Sequence, residues 1–409
     1  MGILLRLAWR NLWRHSRRTW LTASAIAFAT TLLVFMITLQ LGAYDMMIDV
    51  SVRVFTGQMQ VQREGYQAKP QMRVTVPDAA ALAARLRSAT GLDSVTARAQ
   101  GFALASSASR SYGVPVIGVE PAYEPQVSTL PHLIKEGRYL SADDAQEVVL
   151  GAALARNLKV AVGDELTLLG SGKDGSIAAT IVPVVGIFES GNPELDRHLV
   201  QLPLRTFQDV FTMGNDAHAI VVSGPGPETI AQTKAQVAAA LTPGAGLAVL
   251  DWEQLIPGLR QLIQADMVQN WIIYIALIVI VTLSIMNTFL MSVLERTREF
   301  GIMLALGSSP LRIGVIVLLE SVYLTLLGLG IGMLLGGGIA VYLHIEGFTF
   351  PGMEELYGQF GLPGVIHSKL SLAGFTLGPG VIFLFTVLAA LYPALRIRKL
   401  QPVEAIHAV

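Results

Sequence analysis

Residues 271–293 read WIIYIALIVIVTLSIMNTFLMSV, twenty-three positions without a charge. A helix rising 1.5 Å per residue needs about 20 apolar residues to cross a hydrocarbon layer about 30 Å thick. Three further runs meet that length. Residues 19–44 and 370–395 carry no charge, and residues 313–343 carry only Glu320. Four transmembrane helices are therefore expected. Composition agrees, since only 14% of the 409 residues are charged and 52% are hydrophobic, whereas soluble domains carry about 25% charged residues. The chain has no cysteine, which excludes a disulfide framework and any cysteine-ligated metal cluster. A net charge of −1 gives no electrostatic footprint for nucleic acid.

The first run follows Arg6, Arg10, Arg14, Arg17 and Arg18, the flank of a signal peptide. Its apolar stretch exceeds the roughly 7–15 residues of a cleaved leader, so an uncleaved anchor is expected. Basic residues in short flanks set orientation. Arg296, Arg298 and Arg312 lie between spans two and three, and Arg396, Arg398 and Lys399 follow span four. The loop 344–369 has one Lys and three Glu. Both termini and the loop 294–312 are thus expected in the cytoplasm, with the long insert outside.

The expected fold class is an α-helical membrane protein with four transmembrane helices in a 1+3 arrangement. A large mixed α/β extracytoplasmic domain is inserted between helices 1 and 2. The divisions are 1–18 (amphipathic elbow helix), 19–44 (span one), 45–269 (external domain with stalk ends 45–55 and 251–269), 270–293 (span two), 294–312 (loop), 313–343 (span three), 344–369 (short external loop), 370–395 (span four) and 396–409 (tail). In the insert, 57–62, 72–76, 114–119, 147–151, 164–169, 180–188 and 218–224 alternate as strands, and 78–87 and 227–241 as helices. Two strand–helix units flanking a strand-rich middle predict two subdomains, one split around the other.

Some residues carry a mechanism. In residues 3–18, Arg6, Arg10, Arg14 and Arg17 share one arc at 100° per residue, with Leu4, Leu5, Ala8, Trp9, Leu12 and Trp13 opposite. Such a helix lies in the membrane surface, serving either as an elbow that meets a cytoplasmic partner or as a topology anchor. In MNTFLMSVLERTREFGIMLALG (286–307), Glu295 and Glu299 are four apart and share a side, with Arg298 beside them. Gly301 and Gly307 allow close approach or a turn. Phe300, Met303 and Leu306 form an apolar patch suited to a groove on a partner.

MNTFLMSVLERTREFGIMLALGSSPLRIGVIVLLES (286–321) resembles the signature region of ABC-transporter permeases of the FtsX, MacB and LolC/LolE superfamily. The tail YPALRIRKLQPVEAIHAV and the opening LAWRNLWRHSRRTWL resemble that family's ends. The resemblance implies a coupling helix after span two that docks on a separate ATPase dimer. Glu295, Arg298, Glu299, Gly301, Leu306 and Gly307 match that pattern. It also implies a second permease subunit, and ATP with Mg held by the ATPase rather than by this chain, which would carry no cofactor, metal or catalytic residue.

VVLGAALARNLKVAVGDELTLL and VVGIFESGNPELDRHLVQLPL are more similar to the lipoprotein-releasing LolC/LolE branch. That branch implies acyl chains entering between spans one and two, past Phe28, Leu32, Phe35, Met36, Leu39, Ile275, Ile278 and Thr282. It also implies a carrier-hook loop between 169 and 181. Here that loop, GSGKDGSIAAT, is short and polar, without an apolar, proline-containing hook. A MacB- or FtsX-like machine that moves a periplasmic partner is the rival expectation, and a membrane-anchored sensor or scaffold is a second.

Intramembrane carboxylates are functional candidates; Glu320 is expected to pair with Arg312 or to reach the headgroups. Gly328, Gly330, Gly332, Gly336, Gly337 and Gly338 predict close helix packing, and Ser284 and Asn287 predict interhelical hydrogen bonds. GSGKDGS (170–176) fails the phosphate-loop pattern, with Thr167 and Asp174 at required positions. His132, His198 and His218 are scattered and predict no metal site. Asp143, Asp144 and Glu147 read as a solvated turn.

Overall fold

The computed structural model describes residues 2–14, 16–142, 145–349, 352 and 364–397. Among these, eight helices of nine or more residues follow in chain order: α1 (Gly2–Arg14), α2 (Ser16–Ser51), α3 (Ala79–Thr90), α4 (Ile230–Ala240), α5 (Pro257–Glu295), α6 (Thr297–Ala305), α7 (Pro310–Ile345) and α8 (Leu372–Arg396). The contacts divide the chain into two compact units. One comprises the chain up to Tyr44, Ile263–Thr349 and the chain from Val365 on; the other centres on Asp45–Leu262.

In the first unit, α2, α5, α7 and α8 are long and apolar enough to cross a membrane. In hydrocarbon every backbone group must be satisfied within its own helix, and contact between helices then depends on how closely their backbones approach. Glycine on α7 provides that approach toward α2. A Cβ added at Gly332 would meet the Ala27 carbonyl at 2.6 Å, and one at Gly328 the Ile26 Cβ at 2.6 Å. Gly336 faces Val34, and Gly374 and Gly378 of α8 face Thr38 and Leu33. Gly330 and Gly338 face open space. Ile26, Leu33, Tyr274, Ile278, Ile285, Phe289, Leu324 and Ile382 fill the bundle's centre.

The second unit holds ten strands: β1 (Met59–Arg63), β2 (Val95–Ser106), β3 (Ser111–Val119), β4 (Ile134–Gly137), β5 (Val148–Gly151), β6 (Glu165–Ser171), β7 (Ile177–Phe188), β8 (Val200–Pro203), β9 (Ala219–Val222) and β10 (Leu247–Asp251). β2 organises them. Its first residues pair with β9, its last with β6, and its other edge with β3. From β3 the pairing runs through β8, β5 and β7 to β6 and so back to β2, closing a six-stranded ring. Closure removes unpaired edges. β9, β1 and β10 extend from β2 as a wing, against which α3 and α4 pack.

The two expected subdomains are therefore joined in one hydrogen-bonded sheet. Residues 72–76 form no strand; only Val76 bridges, to Ala217. β2, β4, β8 and β10 escape the alternation rule. β2 reads VTARAQGFALAS: Ala97, Ala99, Ala103 and Ala105 share one buried face, and Arg98 is buried on the other. Arg98 is buried because Glu124 meets its guanidinium at 2.6 Å. Glu147 is not in a solvated turn: it is buried, 2.6 Å from Arg138 Nη2, and it accepts from the Ser141 hydroxyl at 2.9 Å. Asp143, Asp144 and the tail 398–409 lie outside the described residues.

Candidate coupling site

α1 packs its apolar arc on α7. Ala8 and Leu12 are buried, and the Trp9 ring meets Tyr323 edge-on with centroids 5.6 Å apart. α1 is described to Arg14 and α2 from Ser16, with His15 between them outside the described residues. Arg17 and Arg18 lie in α2, the helix that continues into span one.

At the same end of the bundle, α5 stops at Glu295 and α6 starts at Thr297. Arg296 between them has φ −100° and ψ 10°, outside the helical region. α6 turns Phe300 and Gly301 inward; Phe300 is 2% exposed, among Val293, Ile313, Val317 and Ile397. Phe300 thus cannot belong to an exposed patch. The exposed face carries Arg298, Ile302, Ala305 and Leu306, with Leu306 82% exposed. These positions follow helical spacing, whereas the expected trio with Met303 does not share one face. Gly307 closes the helix at φ +89°, a conformation that favours glycine.

The two carboxylates flanking Arg296 are held from within the chain. Glu295 accepts from Arg18 at 2.8 Å, and Arg18 also reaches Ser292. Glu299 accepts from Arg14 at 3.1 Å and Arg296 at 3.3 Å. Arg298 is exposed and makes no ion pair among the described residues. Exposed pairs such as Arg14–Glu299 contribute about 0–1 kcal/mol each, so a partner could replace them at small cost.

Glu320 pairs with Arg296 at 2.7 Å, not with Arg312, and accepts from Asn11 at 2.8 Å. Arg312 is exposed near the start of α7; Glu320 lies two turns further along, facing α1 and the α5–α6 joint. Asn11, Arg18, Ser292, Arg296, Glu320 and Ser321 are among the residues lining a cavity of about 40 Å³ there, room for one or two waters.

A second polar group sits near Tyr44. Asp266 accepts from Gln40 at 2.6 Å, Tyr44 at 2.7 Å and Asn270 at 2.9 Å, tying α2 to α5. Along the expected substrate path, Phe28 is 70% and Ile275 56% exposed. Leu32, Phe35, Met36, Leu39 and Thr282 are half-buried. Ile278 is 4% exposed inside the bundle, so it faces no path. Ser284 and Asn287 are exposed and make no interhelical bond among the described residues. The buried face of α5 runs through Tyr274, Ile278, Ile285 and Phe289, and at 100° per residue both polar residues fall away from it.

In the second unit, GSGKDGS is the tight turn between β6 and β7. It is pinned rather than protruding: the Lys173 amide donates to the Phe211 carbonyl at 2.8 Å, and its ammonium pairs with Asp216. Outside the ring, Leu104 is opposite Leu169 across β2–β6, and Phe102, Leu104, Leu169 and Ile181 are exposed. His132, His198 and His218 do not converge, and no group of three metal-ligating side chains occurs among the described residues.

Sequence reasoning missed Asn11, Arg18, Arg296 and Asp266 as site residues. Asn11 had a weak signal, an amide at the border between the apolar and arginine arcs of an amphipathic helix. Arg296 had none, because its neighbours Arg298 and Glu299 share its composition.

Comparison with known proteins gives a consistent picture. The MacB-like periplasmic core domain matches residues 19–240, and the FtsX-like permease C-terminal region matches residues 271–402. The lipoprotein-releasing system transmembrane protein LolC of Neisseria meningitidis serogroup B is 23% identical over 75% of both chains. The uncharacterized ABC transporter permease YvrN of Bacillus subtilis is 30% identical over 71% of this chain and 69% of its own. The lipoprotein-releasing system transmembrane protein LolE of Haemophilus influenzae is 26% identical over 75% of both.

Proposed function

The chain belongs to the FtsX/MacB family of ABC-transporter permeases, and from that premise we propose that it couples ATP use by a separate cytoplasmic ATPase pair to movement of its inserted domain, releasing a lipoprotein or lipid-like substrate from the inner membrane. The observation that carries the reading is α6. It is a short helix closed by Gly307, anchored inward by Phe300, and it presents Arg298, Ile302 and Leu306 outward. An amphipathic helix with one face packed on its own chain and one face free is the form that docks in a partner's groove. Glu295 is held by the half-buried Arg18, and Glu299 by the exposed Arg14 and by Arg296; both carboxylates stay partly exposed and available to the same partner.

The arginines before α2 and in 294–312 favour placing this end in the cytoplasm, the domain outside, and both termini inside. Two permeases would pair, each facing one ATPase. ATP and Mg would be bound by the ATPase; this chain would move. Acyl chains would pass between α2 and α5 where Phe28 and Ile275 are exposed.

One observation favours a second reading, force transmission to a periplasmic partner. The 172–176 turn is polar and pinned, while Phe102, Leu104, Leu169 and Ile181 are exposed apolar side chains on neighbouring strands. The test is the complex purified from its own membranes and immobilised through this chain. Lipoprotein release predicts a bound acylated protein that ATP elutes and a non-hydrolysable analogue does not. Capture of a non-acylated periplasmic protein, with no acylated species, would move the conclusion to force transmission.

A further inference from the structure

Both oxygens of Glu320 are engaged, and by different elements. Oε1 accepts from Asn11 Nδ2 on α1 at 2.8 Å. Oε2 accepts from Arg296 Nη1 at 2.7 Å. Arg296 is the single residue between α5 and α6, in a non-helical conformation where a chain bends most readily. Its guanidinium also reaches Glu299 of α6 at 3.3 Å and lies 5.2 Å from the Phe300 ring centroid. The side chains of Arg296 and Glu320 are 12% and 15% exposed. A charge pair this far from solvent is held tightly, because removing either partner leaves the other charge desolvated and alone.

From this geometry we propose that Arg296 and Glu320 are positioning residues that lock α6 to α7 and α1. Resting on the proposed coupling role of α6, the inference adds a direction of transmission. A push on α6 does not flex the Arg296 joint; it moves α1, α6 and the first turns of α7 as one body. The joint would otherwise be the weakest point between the docking helix and the spans, since one non-helical residue carries it. Glu320 removes that weakness by holding the joint residue and the elbow with one carboxylate. Neither residue touches nucleotide or substrate in this scheme.

The absence of cysteine allows a clean test in the full chain. Cysteines are introduced at the exposed Ile3 and Leu306 (76% and 82% exposed), spin-labelled, and the distance distribution is measured without any ATPase. The wild type is expected to give one narrow distribution. Glu320→Gln, close in shape but uncharged, is expected to widen it at least twofold. Arg296→Lys, which keeps the charge but loses the fork, is expected to fall between the two, and it also reads the latch if Glu320→Gln does not fold. Arg312→Gln, at the exposed start of α7, is expected to leave the width unchanged. Equal widths in wild type and Glu320→Gln would overturn the latch.

A second arm uses the unlabelled complex. Glu320→Gln is expected to keep the ATPase partner at wild-type stoichiometry and ATP turnover within about threefold. It is expected to lose at least tenfold in material eluted per ATP consumed. Unchanged output per ATP would overturn the transmission role. Failure of the wild type to hold any ATPase would instead refute the proposed function, and the first arm would still decide the latch.

Discussion

Arg296 Nη1 lies 2.7 Å from Glu320 Oε2, across 24 residues of sequence, at the joint between a spanning helix and the short helix that follows it. The contact converts a lone carboxylate in an apolar segment into a satisfied one. It also gives the α5–α6 bend a fixed angle.

The two faces of α6 should respond differently to substitution. Phe300 is 2% exposed, and truncating a buried Phe costs about 3–5 kcal/mol. Phe300→Ala should therefore lower the thermal midpoint of the purified protein in detergent. Ile302→Asp, on the exposed face, should leave that midpoint within about 2 °C, consistent with the small stability effects of surface changes.

The glycine face of α7 separates in the same way. Gly332→Val would drive a Cβ to 2.6 Å from the Ala27 carbonyl, a backbone atom that cannot move aside. Loss of monodisperse protein on size-exclusion chromatography is expected. Gly330→Ala enters open space and should raise stability slightly, because alanine has the better helix propensity by about 1 kcal/mol.

His218 makes stability depend on pH. Burial pushes its pKa down from 6.5 to about 4; its Nδ1 accepts from the Gln100 amide at 2.8 Å, and its ring stacks on Tyr66. The unfolded chain takes up the proton first as pH falls. The His218 contribution is therefore complete above pH 6.5 and is lost between 6.5 and about 4, a change of roughly 3 kcal/mol at 1.36 kcal/mol per pKa unit. Thermal melts of the full chain should fall across that window, and the slope should shrink in His218→Gln.

Asp266 is expected to hold α2 against α5 through Gln40 and Tyr44. Asp266→Ala leaves those donors unpaired, at a cost of about 1–3 kcal/mol. Cysteines at positions 40 and 266 would not test this, since they remove the clamp itself. Hydrogen exchange does: amides around Tyr44 should exchange faster in Asp266→Ala than in wild type.

The four spans were legible because an uncharged run of twenty or more residues has few alternatives to a membrane helix. The glycine packing face was legible for Gly328, Gly332 and Gly336 but not for Gly330 and Gly338, since composition does not say which way a helix faces. The same limit misplaced Phe300 and Ile278: each is apolar whether it meets a partner, a substrate or its own chain. β2 was hidden although Val95–Gln100 alternates, because its apolar positions are mostly alanine, a weak strand former, and Gly101 interrupts it; only the fold supplies Glu124 to make a buried arginine tolerable. Glu320 was visible as an anomaly, yet its partner was not. Arg312 is nearer in sequence, while Arg296 is brought to it by the turn between α6 and α7.

The most direct measurement is capture of an ATPase by the full chain from its own membranes, with wild type beside Ile302→Asp/Leu306→Asp. The account predicts an ABC ATPase at about one per permease with the wild type, reduced at least tenfold by the double substitution while the permease stays folded. A wild-type protein that brings down no ATPase, or a double variant that holds it as well as wild type does, would contradict the account.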